Sequence, residues 1–139
     1  MFDNLAKYKT YGHFFFKKDD TLKYVSKEVP EKPGVYYIIR LAEGRIDLVY
    51  IGKSGTIKQN GEFKEQLLKG RINNKWDKET TRQEFFDRKI VDENIDALDI
   101  YWFVTMDNKH NDLPGYVEGL LMQRYFEIHG TLPPWNKCF

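Results

Sequence analysis

The chain contains a single cysteine, Cys138, so it can form no internal disulfide bond. Chains without disulfides are typical of reducing compartments, and we expect a cytoplasmic protein. No apolar run approaches the length of a membrane span, and residues 1–4 lack the basic start of a signal peptide. The histidines are scattered without the spacing of a zinc site. These absences argue against secreted disulfide scaffolds, membrane proteins and structural zinc domains.

Net charge is also small, because the chain carries 22 basic and 21 acidic side chains. The distribution along the chain is less even than the total. Residues 53–89 contain ten Lys or Arg against six Asp or Glu, and residues 92–127 contain eight acids against two bases. We expect a basic face and an acidic face, although ordinary solvated surface explains an asymmetry of this size equally well.

What the chain does contain is aromatic residues, with ten Phe, nine Tyr and three Trp in 139 residues. This composition predicts one packed domain, residues 33–139, with residues 1–32 as an extension packed on it. The order of elements predicts an α+β fold, a small three-stranded antiparallel sheet flanked by helices. The predicted elements are a short strand or buried turn at 11–16, helical turns within 21–29, strands at 33–40, 46–51 and 95–105, and helices at 62–74, 80–92 and 115–129.

Two of these strands form a hairpin. Its predicted connection is a three-residue loop, 42–44, with Gly44 in the left-handed conformation. That loop pairs Leu41 with Arg45, Ile39 with Asp47 and Tyr36 with Tyr50. A two-residue loop would shift the pairing by one residue and place the two tyrosines on opposite faces.

Two tripeptides of this hairpin, Gly34-Val35-Tyr36 and Tyr50-Ile51-Gly52, form a pair that resembles the signature of the GIY-YIG endonuclease family. Either tripeptide alone is common in strands, but the pair on one hairpin, followed by Lys53, is specific. The resemblance covers about residues 33–136. It implies the fold of that family and a metal-dependent endonuclease that hydrolyses DNA phosphodiester bonds with the help of tyrosine.

Glu118 is the carboxylate that stands out on the last predicted helix. It lies at the edge of an apolar face formed by Val117, Leu120, Leu121, Tyr125 and Ile128. A carboxylate there needs a cation or several donors, and position alone favours a structural salt bridge. The resemblance implies instead that Glu118 binds one divalent ion. Oxygen ligands favour Mg2+ or Mn2+ over zinc for such a site.

Lys53 and Arg71 are the predicted phosphate contacts, since a guanidinium can hold two phosphate oxygens at once. The resemblance implies a lysine three residues after the second tyrosine, which is Lys53, and an arginine on the next helix. Arg71 fits that place if residues 55–61 are an insertion, and Arg82 is the alternative. The resemblance also implies an asparagine after the last helix, Asn136, which we expect to hold the site together.

Tyr36 and Tyr50 complete the predicted site. Tyrosines in sheets usually serve packing, and a free tyrosine is a poor base because its pKa is about 10. Nearby cations or a metal would lower that pKa. We expect Tyr50 to act as the base or to position the attacking water, with Tyr36 beside it, and the reverse assignment stays open.

The expected partner is DNA, duplex or branched, and the residues do not distinguish it from RNA. The basic segment 53–89 is the predicted side that faces the duplex. Specificity would come from the loops, from residues 1–32, from a homodimer or from a separate partner. The alternative function is a catalytically inactive module of the same fold that binds nucleic acid or another partner.

Overall fold

The computed structural model describes residues 2–64 and 66–139. A short 3₁₀ turn, Asp3–Lys7, precedes the first strand. The strands are β1 (Tyr11–Phe16), β2 (Gly34–Ala42), β3 (Arg45–Lys53) and β4 (Ile95–Val104). The helices are α1 (Leu22–Val25), α2 (Leu68–Asn73), α3 (Arg82–Asp92) and α4 (Pro114–His129).

The α+β class and the antiparallel sheet are confirmed, but the sheet has four strands and not three. Its order is β1-β4-β2-β3. The additional strand is β1, which pairs with β4 from Tyr11 opposite Phe103 to Phe16 opposite Leu98. β1 covers the edge of β4 that would otherwise expose unpaired backbone groups. Residues 2–32 therefore contribute a strand to the same sheet as the hairpin.

The predicted register of the β2–β3 hairpin is wrong. The loop has two residues, Glu43 and Gly44, with φ of 52° and 73°. Both values are positive, as in a type I′ turn, whose twist matches that of the flanking strands. Leu41 consequently pairs with Ile46, and Ile39 pairs with Leu48. The left-handed Gly44 was predicted correctly, but Ala42 belongs to the strand.

A β-bulge in β3 then shifts the pairing by one more residue. Ile39 pairs with Leu48 but Ile38 pairs with Tyr50, so Val49 is the extra residue. Beyond the bulge Tyr36 pairs with Gly52 and not with Tyr50. Tyr50 lies two residues from that partner, so both tyrosine side chains are on one face of the sheet.

Apolar clusters cover the two faces of the sheet. One face carries the larger cluster, beneath α1, α2 and α3, and it includes Tyr36, Ile38, Phe86, Ile100 and Trp135. The other face packs on α4 and on the 3₁₀ turn through Leu5, Val35, Ile51, Val117 and Leu121. The tyrosine pair thus belongs to the face covered by the shorter helices.

The helix predicted at 62–74 is mostly wrong. Only Leu68–Asn73 is helical, and Phe63 instead forms a β-bridge with Ile57. Glu65, inside the predicted helix, lies outside the described residues. The prediction for α3 was better, because Thr81 accepts a hydrogen bond from the Glu84 N–H and Glu84 accepts one from the Thr81 N–H. This reciprocal capping box defines where the helix begins.

The bounds of α4 follow its sequence signals, with Pro114 in the first turn and a left-handed Gly130 (φ 70°) after the end. Asp112 does not cap it, because its carboxylate accepts a hydrogen bond from Tyr8 and pairs with Lys7.

The predicted apolar face of α4 is partly wrong. Leu120 and Ile128 are 39% and 47% exposed, and Met122 is buried in their place. Within the described residues, no helix combines the length and apolarity needed to cross a membrane.

Candidate active site

The two tyrosines converge over Gly52. Their ring centroids are 5.9 Å apart, with the planes tilted by 38°. A Cβ atom on Gly52 would lie 2.6 Å from the Tyr36 ring and 2.8 Å from the Tyr50 ring. Both approaches are far closer than real Cβ contacts, so the close pairing of the rings requires glycine at this position.

Tyr36 is the buried member of the pair, with only 1% of its surface exposed. Its hydroxyl has no hydrogen-bond partner in the described part of the chain. Burial raises the pKa of Tyr36 well above its ordinary value, and the nearby charges of Arg82 and Arg71 offset only part of that rise. Tyr36 is therefore a neutral phenol at physiological pH. Tyr50 is half-buried, so it is the tyrosine that solvent can reach.

Arg82 lies beneath the tyrosines, and it is 2% exposed. Its guanidinium carbon is 4.8 Å from the ring centroid of Trp76, 5.5 Å from that of Tyr36 and 5.7 Å from that of Tyr50. Nε and Nη1 are buried without an acceptor among the described residues, and no described carboxylate forms a salt bridge with this arginine. A charge buried without an anion is costly, and aromatic faces compensate only in part.

Trp76 fixes the position of the Tyr50 ring. It stacks on Phe85 with centroids 3.8 Å apart, and its ring is 4.7 Å from that of Tyr50. The loop that carries it is closed by a bridge between Lys75 and Thr81. Sequence reasoning missed Trp76, although a tryptophan inside the polar run Asn-Lys-Trp-Asp-Lys was the available signal. It named Arg82 as the alternative to Arg71 but could not predict that Arg82 is buried, because burial depends on tertiary structure.

The end of β3 is held in place by Ser54, which is completely buried. The Gly34 N–H donates to Ser54 Oγ and the Ser54 N–H donates to the Gly34 carbonyl, each at 2.9 Å. These bonds fix the backbone next to Lys53. A Cβ on Gly115 would lie 3.9 Å from Cδ of Lys53, so the lysine stem runs along the first turn of α4.

Glu118 lies on α4, one turn beyond the stem of Lys53. Burial raises the pKa of its carboxyl above the ordinary value, and the charges of Lys53 and Arg71 lower it in part. No cation of the described residues forms an ion pair with Glu118 within 4.0 Å. The structural salt bridge that its position favoured is therefore not formed there. The carboxylate remains available for a ligand.

Arg71 is exposed in the last turn of α2. Its charge lowers the pKa of both Tyr36 and Glu118 in part, so it lies near the tyrosine pair and near the carboxylate. Both candidate arginines thus adjoin the site, but only Arg71 is open to solvent. A guanidinium at that position can contact a phosphate, whereas Arg82 acts from below on the aromatic rings.

Asn136 binds the backbone of β3. Its Oδ1 accepts from the Ile51 N–H and its Nδ2 donates to the Ile51 carbonyl, each at 3.0 Å. The neighbouring Trp135 N–H donates to the carbonyl of Val49 at 2.9 Å. The tail therefore pairs with the outer edge of β3 at the bulge and beside Tyr50. Both ends of the amide are used, so Asn136 positions the strand and is not an open ligand.

A metal ion at this site would have Glu118 as its one protein carboxylate. No cluster of three or more His, Cys, Asp or Glu that could hold a metal occurs within residues 2–64 and 66–139. Mg2+ is commonly bound by one or two carboxylates together with substrate phosphates and water. A carboxylate without an ion pair among the described residues fits that role.

Comparison of the chain with protein-family models, curated proteins and solved structures finds no significant match. The resemblance to the GIY-YIG endonucleases therefore rests on the two tripeptides and on the residues grouped around them.

Proposed function

We propose that the protein is a metal-dependent endonuclease of the GIY-YIG type, which hydrolyses phosphodiester bonds in DNA. The observation that supports this function best is the convergence of a tyrosine pair, an exposed arginine, a lysine and a partly buried carboxylate without a described ion pair. These groups come from β2, β3, α2 and α4, so packing of the whole domain is needed to bring them together. We expect the protein to act in a reducing cytoplasm, since Cys138 is a free, exposed thiol.

Two cations of the candidate site can bind the negatively charged phosphate of the substrate. Arg71 is exposed and Lys53 is half-buried, so both can reach a phosphate that approaches from solvent. The guanidinium can hold two non-bridging oxygens, and the ammonium adds a second positive charge. The same two cations stabilise the additional negative charge that develops on these oxygens in the transition state.

Tyr50 is assigned as the group that acts on the attacking water. It is the accessible member of the pair, whereas Tyr36 is buried and its raised pKa keeps it protonated. As a phenolate, Tyr50 takes one proton from water. The hydroxide oxygen bonds to phosphorus as the bond to the leaving oxygen breaks. The Arg82 guanidinium lies 5.7 Å from the Tyr50 ring and places a fixed positive charge there.

Glu118 would hold the divalent ion, with phosphate oxygens and water as the other ligands. When bound, such an ion supplies Lewis-acid stabilisation of the phosphate and of the leaving oxygen. Asn136 holds the backbone of β3 at Ile51, the residue after Tyr50. Glu118 would therefore be a metal ligand, whereas Asn136 positions the backbone of β3.

The test is incubation of the purified protein with supercoiled plasmid and Mg2+ or Mn2+. We expect nicked or linear products with the wild type, and none with Glu118→Gln or with EDTA. Glu127→Gln is the matched control, because Glu127 is an exposed carboxylate on the same helix. Normal cleavage by Glu118→Gln would contradict the assignment.

The products also report on the oligomeric state. Nicked circles indicate one active site per encounter, and direct linearisation indicates a homodimer or a separate partner. Salt-sensitive binding of DNA without any cleavage would favour the inactive binding module instead.

A further inference from the structure

The segment between β3 and α2 forms an exposed two-stranded ribbon, residues 56–64. Ile57 and Phe63 face each other in a β-bridge. The Lys58 N–H donates to the Glu62 carbonyl at 2.7 Å, and the Lys64 N–H donates to the Thr56 carbonyl at 2.6 Å. Every residue of the ribbon except Phe63 is exposed. The ribbon therefore projects from the domain as a paired structure.

The root of the ribbon is fixed next to the candidate active site. Gly55 has φ of 83°, and a Cβ there would lie 2.8 Å from the Phe63 ring. The Gly55 N–H donates to the Gln66 carbonyl at 3.0 Å. Since Ser54 is itself bound to Gly34, the ribbon starts three residues after Lys53 from an anchored backbone.

The two faces of the ribbon differ in chemistry. Directly opposed residues share a face, so Ile57 and Phe63 form the side that packs toward Gly55. Alternation along each strand turns Lys58 and Lys64 to the other side. That face thus carries two exposed lysines and the exposed carboxylate of Glu62, which lies opposite Lys58, and an exposed amide, Gln59, stands where the strands join.

We propose that this ribbon enters the major groove of duplex DNA beside the cleaved phosphate and reads base sequence there. Gln59 is six residues from Lys53. At about 3.3 Å per residue, it reaches up to about 20 Å from a phosphate held by that lysine. The major groove is about 12 Å wide and admits a two-stranded ribbon. A glutamine amide can form two hydrogen bonds with adenine, and lysines on the ribbon can contact the flanking phosphates.

This inference rests on the proposed function for its substrate, but its test does not require cleavage. The purified protein is mixed, in EDTA, with a library of random-sequence 30-base-pair duplexes, and bound duplexes are sequenced. We expect the wild type to select a preferred sequence, and Gln59→Ala to weaken the preference at one or two positions by about tenfold. Affinity for the selected duplex is then measured as a function of salt.

The paired variant Lys58→Ala with Lys64→Ala should bind more weakly to every sequence. The slope of log affinity against log salt should fall by about 0.9 for each phosphate contact that is lost. Lys18→Ala is the matched control, an exposed lysine beyond the end of β1, the strand at the opposite edge of the sheet from β3. It should leave both slope and preference unchanged.

The outcomes separate this inference from the nuclease proposal. Ribbon-dependent sequence preference without metal-dependent cleavage would support the ribbon and contradict the nuclease. Plasmid cleavage with ribbon variants that bind like the wild type would overturn the ribbon alone. If only the lysine variant changes the salt slope, the ribbon contacts phosphates and does not read bases. Absence of any duplex binding by the wild type would refute both.

Discussion

Replacing Arg82 by methionine tests whether the buried guanidinium serves function or stability. Methionine is about as long but uncharged. The change removes two buried, unpaired donors, each of which costs about 1–3 kcal/mol in the folded state. It also removes contacts with three aromatic rings, each worth up to about 2 kcal/mol when desolvated. These contributions nearly cancel, so the free energy of unfolding should change by less than about 2 kcal/mol.

Cleavage should respond very differently from stability. The variant loses the positive charge beneath Tyr50, and loss of one such electrostatic group lowers turnover about 10²- to 10³-fold in other enzymes. Urea denaturation gives the stability, and nicking rate of supercoiled plasmid gives the activity. Arg88→Met on the same helix is the matched control, because Arg88 is exposed and bonds only to Thr80 among the described residues. It should alter neither quantity appreciably.

Two results would refute this reasoning. Destabilisation by clearly more than about 2 kcal/mol would mean that the contacts of the guanidinium with the aromatic rings outweigh the cost of its unpaired donors, and that Arg82 is a structural cation. Full activity in a stable Arg82→Met protein would mean that the guanidinium does not influence the tyrosines. Arg82→Lys keeps the charge but not the planar group, so partial activity in that variant would identify charge as the essential property.

Three other predictions follow from the same geometry. Gly52→Ala should destabilise the protein by about 1–3 kcal/mol and abolish cleavage, because the added methyl group displaces both tyrosine rings. Urea denaturation measures the stability, and plasmid nicking measures the cleavage. Asn136→Ala leaves the Ile51 N–H without its acceptor, so hydrogen exchange at that amide should accelerate, and unchanged exchange would show that the tail is not held there. Glu118→Gln should be at least as stable as the wild type at pH 7. Burial raises the pKa of Glu118 in the folded state above that in the unfolded state. The free energy of unfolding of the wild type therefore falls as pH rises from the unfolded-state pKa through the folded-state pKa. The advantage of the glutamine should therefore disappear below about pH 4, where the carboxyl is protonated in both states, and urea denaturation across pH checks it.

Capping residues, proline and glycine in the sequence correctly predicted where the two longest helices begin or end. Thr81 and Glu84 stand three residues apart, the spacing of a capping box, and the helix begins there. Pro114 and Gly130 bound the last helix in the same way. In contrast, β1 depends on β4, more than 80 residues away, and nothing within Tyr11–Phe16 specifies that partner. A strand at 11–16 was one of two predicted alternatives, but its place in the sheet could not be derived from its own sequence.

The part of the candidate site that lies in a motif was visible in the sequence. Tyr36, Tyr50 and Lys53 belong to one hairpin, and the resemblance named them together. Arg82 and Trp76 required knowledge of which side chains the fold buries, since an arginine on a helix usually faces solvent. The ribbon was missed because its strands are too short for a clear alternation of apolar and polar residues: residues 62–64 were assigned to a helix, and residues 55–61 to an insertion.

The shared face of Tyr36 and Tyr50 depends on two local deviations that compensate each other. The two-residue turn at Glu43 and Gly44 shifts the pairing by one residue, which alone would put the tyrosines on opposite faces. The extra residue at Val49 shifts it once more and restores the common face. The carbonyl of Val49, the bulge residue, accepts the hydrogen bond from the Trp135 N–H. The same bulge therefore aligns the tyrosines and binds the C-terminal tail. The sequence of the turn alone could not predict that the two tyrosines share a face. Their relative register depends on the loop length and on every bulge between Tyr36 and Tyr50.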